Sequence, residues 1–420
     1  MTFRPNPLLY GASENFFSSF KLVVTMRDDV DYALLLDAVN TAMKRYPYFS
    51  VFPKKNGENI ELQFNEEPVQ VFNDGRCVVL GTNESRGHLL AFGCEGRKIF
   101  LHASHYIADG MGITPLLMSV LYLYASKKYG ASGLNSERIL MPGDCISNEE
   151  YSYPFPDNLV LTKGLVTQEK ALKQVYSLDS CAFDDKGLYA YHLRIPQSAM
   201  MSVANPSDGS PVSFLSVTLF RALCSLDKGL DKSVVAHVQH QYRAVIKAPL
   251  NRHSLVSYIP VELSPLLKGR QVELQNTIIR GQIILGSEPE KDLRSIERLI
   301  SVFKKNNCTT LAEKQTAMRQ YIENSIRKKT FGISYVGKMD WCGLEQYVDD
   351  IHAYIGEKET PNMLLIEVMT IGKDFTINFM QSGKGRRYVD AFIEQIKNLG
   401  IPIILVGEER YALCNIKIPQ

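Results

Sequence analysis

A chain of 420 residues is too long for one ordinary hydrophobic core and predicts two domains. Its 45% apolar and 22% charged residues are those of a soluble globular protein, and a net charge of +2 gives no electrostatic reason to expect nucleic acid or an anionic membrane as partner. The eight cysteines contain no CxxC pair, which argues against a structural zinc site or a thioredoxin-like centre. The first residues lack a basic-then-apolar leader and no apolar run reaches about 18 residues, so a cytoplasmic protein without a membrane span is expected.

In chain order, residues 16–27 read as a strand and DDVDYALLLDAVNTAMKRYP as a helix. Asp31 or Asp28 would cap that helix, Leu35, Val39, Ala42 and Met43 mark its apolar face, and Pro47 ends it. Strand-like runs follow near 60–64, 68–72 and 77–80. HLLAFGCEGRKIFLHAS then predicts a hairpin turning at Glu95-Gly96. A largely buried helix is expected over 112–129, ending near Gly130. From about 131 to 186 the chain turns polar and proline-interrupted, as in SNEEYSYPFPDN, and reads as loop and linker. LYAYHLRIP opens a second set with a strand, followed by the helix SPVSFLSVTLFRALCSL, with Ser210 or Ser213 near its start. KSVVAHVQHQYR and HSLVSYIPVEL read as strands, 290–327 as one long or broken helix, and FGISYVGK, MLLIEVMTIG and DFTINFMQS as three more strands before a helix over 387–399. This order is not a strict βαβ alternation, so a doubly wound parallel sheet fits poorly. The expected fold class is α+β, one layered unit per half, with domains 1–182 and 183–420 and a site between them.

Residues 102–110, HASHYIADG, place ionisable groups between two apolar runs, where unpaired charge is costly. His105 and Asp109 are four apart with Gly110 next, and the glycines at 110 and 112 favour a strand-to-helix loop over continuous helix. If the strand ran to residue 105, His105 would share a face with Ile99 and Leu101, and His102 would face away. Two readings of these residues stay open: a functional histidine with its partner, or an ordinary N-cap aspartate beside a hydrogen-bonded loop histidine.

HYIADG resembles the HxxxDG active-site motif of the CoA-dependent acyltransferase superfamily. That group includes chloramphenicol acetyltransferase, plant BAHD and fungal alcohol acetyltransferases, and condensation domains of nonribosomal peptide synthetases. LLLDAVNTAMKRYPYFSV is similar to the family's first helix with its arginine-x-proline end, and SPVSFLSVTLFRAL to the first long helix of its second domain. FGISYVGKMD resembles the serine-asparagine-x-glycine segment of the alcohol-acetyltransferase branch, and FTINFMQS with the following helix the C-terminal strand and helix. The resemblance implies two chloramphenicol-acetyltransferase-like α/β sandwich domains with the active-site tunnel at their interface. It implies acyl transfer from an acyl-CoA co-substrate to a hydroxyl or amine, with no metal, tightly bound cofactor or covalent enzyme intermediate.

Under that resemblance His105 is the general base, Asp109 forms a salt bridge to an arginine, for which Arg243 is the candidate, and Gly110 allows a tight turn. An unperturbed imidazole pKa of about 6.5 suits the base. Candidates for stabilising the thioester oxyanion are Ser334, Tyr335 and Asn251, and Lys384 and Arg386 in GKGRR could hold CoA phosphates or form a solvated turn. His102 is a back-up base or a satisfied strand histidine, while His237, His240 and His253 lack metal-ligand spacing. Ser104 stands where many members carry a second histidine, Tyr335 replaces the branch's asparagine, and the BAHD aspartate-phenylalanine-glycine-tryptophan motif is missing, which excludes a plant-type assignment. Two alternatives remain: a condensation-type enzyme using an acyl carrier protein as donor, and a non-catalytic binding member. A monomer acting on a small-molecule alcohol or amine is expected.

Overall fold

The computed structural model describes residues 2–12, 19–130, 132–155, 174–179, 187–326, 328–356 and 363–419. The first half runs β1 (Thr2–Phe3), β2 (Ser19–Met26), α1 (Tyr32–Met43), β3 (Val51–Asn56), β4 (Asn59–Phe64), β5 (Val71–Phe72), β6 (Leu90–Glu95), β7 (Lys98–Ser104), α2 (Gly110–Tyr129) and α3 (Asn148–Tyr151). β6 and β7 form the expected hairpin, pairing Glu95 with Lys98 across a turn in which Gly96 takes φ 53°. Asp31 caps α1 by accepting from the Leu34 N–H at 3.0 Å, and Leu35, Ala38, Val39 and Ala42 turn inward. On β2 and β7 the alternating Leu22, Val24, Ile99, Leu101 and Ala103 face the same core as α1 and α2.

The second half runs β8 (Leu188–Pro196), α4 (Gln197–Ala204), α5 (Pro211–Leu226), β9 (Val234–Gln241), β10 (Val256–Leu263), α6 (Val272–Gly286), α7 (Pro289–Ile300), α8 (Val302–Lys305), α9 (Leu311–Ile326), β11 (Phe331–Tyr335), β12 (Val348–Tyr354), β13 (Leu364–Ile371), β14 (Asp374–Ser382), α10 (Arg387–Asn398) and β15 (Ile404–Tyr411). Its seven-stranded sheet has the order β10-β9-β11-β13-β14-β8-β15, with β11 parallel to both neighbours and the other pairs antiparallel. One face is buried under α5 and α10, where Leu193, Phe220, Ile366, Phe379 and Phe392 form a second core.

The two halves are interlocked. β12 leaves the second half and completes the first half's sheet, whose order is β12-β2-β7-β6-β5, by pairing antiparallel with β2. From there it packs on β14, whose Thr376 and Asn378 side chains donate to the Ile351 and Ala353 carbonyls at 2.8 and 2.9 Å. Val23, Phe100 and Tyr354 of the first sheet meet Ala190, Leu365 and Met380 of the second in a third apolar cluster, closed by Tyr411 and Leu413. The C-terminal segment then lies along the first half, where Ile416 bridges Leu80.

The α+β class is as expected, but several elements differ from the sequence reading. α2 starts two residues earlier than expected, at Gly110, and the 290–327 helix is three pieces. Residues 77–79 are not strand, and β3, β12, β15 and α6 were not anticipated. The proposed 182/183 boundary lies outside the described residues. No single helix among the described residues is long and apolar enough to cross a membrane.

Candidate functional site

β7 ends at Ser104, and the next five residues turn before α2 begins. Ser104 shapes that turn: its Oγ accepts from the Tyr106 N–H at 3.1 Å and its carbonyl from the Ile107 N–H at 3.2 Å. Asp109, in extended conformation, caps α2 through Oδ1, which accepts from the Gly112 N–H at 2.7 Å. The same carboxylate takes both ends of the Arg243 guanidinium at 2.8 Å and the Leu255 N–H at 2.9 Å. Arg243 in turn donates to the carbonyls of Asn251 (2.9 Å) and His253 (3.0 Å). Both charges are buried, and the bidentate geometry with surrounding hydrogen bonds compensates their desolvation. The turn is thereby fixed to the 241–255 segment of the second half.

His105 occupies the apex of this turn. Its ring tilts against Phe20, with centroids 4.6 Å apart, and one ring nitrogen donates to the Ala108 carbonyl. His105 is half-buried as a residue, and its ring is closely surrounded by protein. Burial pushes its pKa below the ordinary histidine value, against the opposing pull of the Asp109 charge and the Ala108 hydrogen bond. A neutral imidazole with one nitrogen engaged in a backbone bond has its other nitrogen as a lone-pair acceptor. Behind the turn, Ile107, Tyr48, Glu150, Arg252 and His253 border a small cleft, of which His105 is not a wall.

Gly110 does not supply the tight turn expected of it. It is the first helical residue with no positive φ, and a Cβ there would meet only Val336 at 3.9 Å. The demanding position is Gly112, where a Cβ would sit 2.1 Å from the Arg252 carbonyl oxygen. The close passage of the 251–253 loop thus requires the glycine at 112, which the sequence reading took only as a sign against continuous helix, although both glycines lie within α2. That loop is held by a second buried pair: Arg45, just after α1, donates to both Glu150 oxygens at 2.9 and 3.1 Å, Tyr48 donates at 2.6 Å, and the Arg252 N–H reaches the Glu150 carbonyl at 2.9 Å.

The end of β11 approaches the same region, as the Val336 contact to Gly110 shows. Ser334 and Tyr335 point to opposite sides of the sheet. Tyr335 packs with the second core, edge-on to Phe375 at 5.9 Å, whereas the half-buried Ser334 is on the face toward the first half. The Ser334 hydroxyl donates to Glu367 at 2.8 Å, and burial pushes that carboxyl up to about 7. Asn251 cannot serve as an oxyanion donor, because both its N–H bonds are spent, on the Glu149 carbonyl at 2.8 Å and the Ser152 carbonyl at 2.9 Å. Lys384 and Arg386 are exposed ahead of α10, and Arg386 is paired with Asp390 at 2.9 Å and Glu408 at 3.6 Å. His102 lies on the opposite face of β7 from the Leu101 and Ala103 side chains, beside Lys21, and does not back up His105. His237 stacks on Tyr258, His240 bonds Asp292 and His253 bonds the Tyr151 carbonyl, so the three do not converge.

No protein-family model matches the sequence. No curated protein matches it either. Solved structures do resemble the fold. Polyketide synthase associated protein 5 from Mycobacterium tuberculosis superposes with a TM-score of 0.58 at 11% identity, over 94% of this chain and 96% of that one. TRI101 of F. sporotrichioides, solved with coenzyme A and T-2, gives 0.59 at 10% identity, over 97% and 100%. The starter condensation domain of rhizomide synthetase RzmA gives 0.50 at 11% identity, over 95% and 96%. The chain therefore shares the mixed α/β fold of these coenzyme A-bound and condensation-domain structures.

Proposed function

We propose that this chain is an acyltransferase that moves an acyl group from an acyl-CoA thioester to a hydroxyl or amine, with His105 as general base. The observation that carries the reading is His105 itself: a half-buried residue whose imidazole is held uncharged by burial, on a turn anchored by the buried Asp109–Arg243 pair. In the proposed reaction the free ring nitrogen takes the acceptor's proton as its oxygen or nitrogen attacks the thioester carbonyl. The tetrahedral intermediate collapses, the carbon–sulfur bond breaks, and the imidazolium returns the proton to the leaving thiolate. Charge on the former carbonyl oxygen needs a donor. Ser334 supplies it when Glu367 is protonated, because the acid O–H then donates to Ser334 Oγ and leaves the serine hydrogen free. Asp109 is a positioning residue, since both its oxygens are occupied by Arg243 and backbone N–H groups.

TRI101 was solved with coenzyme A and T-2, which supports a CoA thioester donor and a small-molecule acceptor. All cysteines among the described residues are free thiols, which fits the reducing cytoplasm. The test is thiol release from acetyl- and longer acyl-CoAs against a panel of alcohols and amines. Turnover in the wild type, reduced by about 10²–10⁴-fold in His105→Ala with an unchanged circular dichroism spectrum, is the expected outcome. Undiminished turnover in His105→Ala removes the proposal. Turnover only when the acyl group is loaded on a carrier protein would reassign the donor.

A further inference from the structure

On the first sheet's other face, β2 and β7 place Lys21 directly opposite His102, and β12 sets Tyr354 beside Lys21. Cys77, in the loop before Leu80, and Cys414, in the C-terminal segment, close over them. Cys77, His102 and Cys414 each bring one donor atom within 4.8 Å of the others. His102 is 2% exposed, and its Nδ1 has no hydrogen-bond partner among the described residues. A buried nitrogen without a partner is costly and uncommon, and a ring orientation that turns this lone pair to a metal ion between the sulfurs relieves that cost. Both sulfurs are free thiols, set in place by the backbone: the Val78 N–H donates to Cys414 Sγ at 3.4 Å and Cys77 Sγ–H to the Ala412 carbonyl at 3.4 Å. Cys77 is half-buried, so the group is reachable from solvent.

We propose that Cys77, His102 and Cys414 form a binding site for a thiophilic divalent cation, zinc by preference, with water as the fourth ligand. Two thiolates and a neutral imidazole are a donor set that selects zinc over hard cations. Zinc–sulfur and zinc–nitrogen bonds of about 2.3 and 2.1 Å put tetrahedral ligand atoms roughly 3.7 Å apart, so the side chains need to close by at most about 1 Å. Binding forms two metal–sulfur bonds and one metal–nitrogen bond and releases the two thiol protons to solvent. Lys21 does not oppose the cation, because a divalent ion with two thiolates carries no net charge. The site would fasten the C-terminal segment to β7, the strand that leads into the His105 turn. It does not depend on the acyl-transfer reading. The three ligands come from distant stretches of chain, which is why no short spacing marks them.

The test uses the reduced, chelator-stripped full chain. Zinc is titrated in competition with a chromogenic chelator, and cobalt(II) serves as the spectroscopic probe. The expected result is one zinc per chain and a thiolate-to-cobalt charge-transfer absorption. Cys77→Ser and Cys414→Ser should each weaken zinc binding by more than about tenfold and diminish that absorption, while Cys224→Ser leaves both unchanged. Failure of the folded wild type to bind a stoichiometric ion overturns the proposal, as does unaltered affinity in Cys77→Ser. A Cys77–Cys414 disulfide in the protein as isolated overturns it as well.

Discussion

His105 is held below the ordinary histidine value by burial, whereas Glu367 is pushed up to about 7 by the same cause. For the proposed reaction the two shifts have opposite consequences. Activity needs His105 unprotonated, so kcat/KM should rise with pH through a midpoint below about 6.5. It also needs Glu367 protonated, because an ionised carboxylate takes the Ser334 hydrogen for itself. The rate should therefore fall again through a midpoint near the value of about 7 at Glu367. Glu367→Gln keeps a permanent donor to Ser334, so its profile should lose the alkaline fall and keep the acid limb. Ser334→Ala should lower kcat by about 10²–10³-fold, the usual loss for one oxyanion donor. A Glu367→Gln profile identical to the wild type, measured as kcat/KM from pH 5 to 9, would detach Glu367 from the reaction.

The β7–α2 turn is an element whose conformation is set by partners on both halves. Asp109 and Arg243 are buried with their hydrogen bonds complete, so removing either leaves the other as an uncompensated charge. Asp109→Ala and Arg243→Ala should each lower stability by about 3–5 kcal/mol. The double variant should lose clearly less than the sum, because the second removal takes away the orphaned charge. Urea denaturation of the four proteins gives the coupling, and simple additivity would contradict the geometry. The two glycines of the same turn should separate equally clearly. Gly112→Ala drives a Cβ into the Arg252 carbonyl and should lower the melting temperature, whereas Gly110→Ala meets only a side chain at ordinary contact distance and should leave it nearly unchanged. The short-range part of this element was legible in the sequence, since the i, i+4 spacing of His105 and Asp109 before an apolar helix puts both in one loop. Gly112 was not, because only the approach of residue 252 through the folded chain makes a side chain impossible there. Asn251 misled for the same reason: its amide is consumed by carbonyls of residues 149 and 152, about a hundred positions away in sequence.

At the scale of the molecule, the alternating strands and amphipathic helices within each half could be read from local periodicity, and the α+β class followed from their order. The way the halves join could not. VDDIHAY hides its strand character behind paired aspartates and a bulge between Val348 and Asp350, and nothing local says that it pairs with residues more than 300 positions earlier. β15 is an edge strand whose side chains alternate between half-buried and exposed, so its composition carries little apolar signal. The interlocking by β12 makes the chain topologically indivisible in a practical sense. A gene cut in two between the halves would yield a first piece whose β2 presents a bare row of N–H and C=O groups, open to any passing strand. That piece alone should precipitate or self-associate, and co-expression with its complement should restore a soluble heterodimer in size-exclusion chromatography.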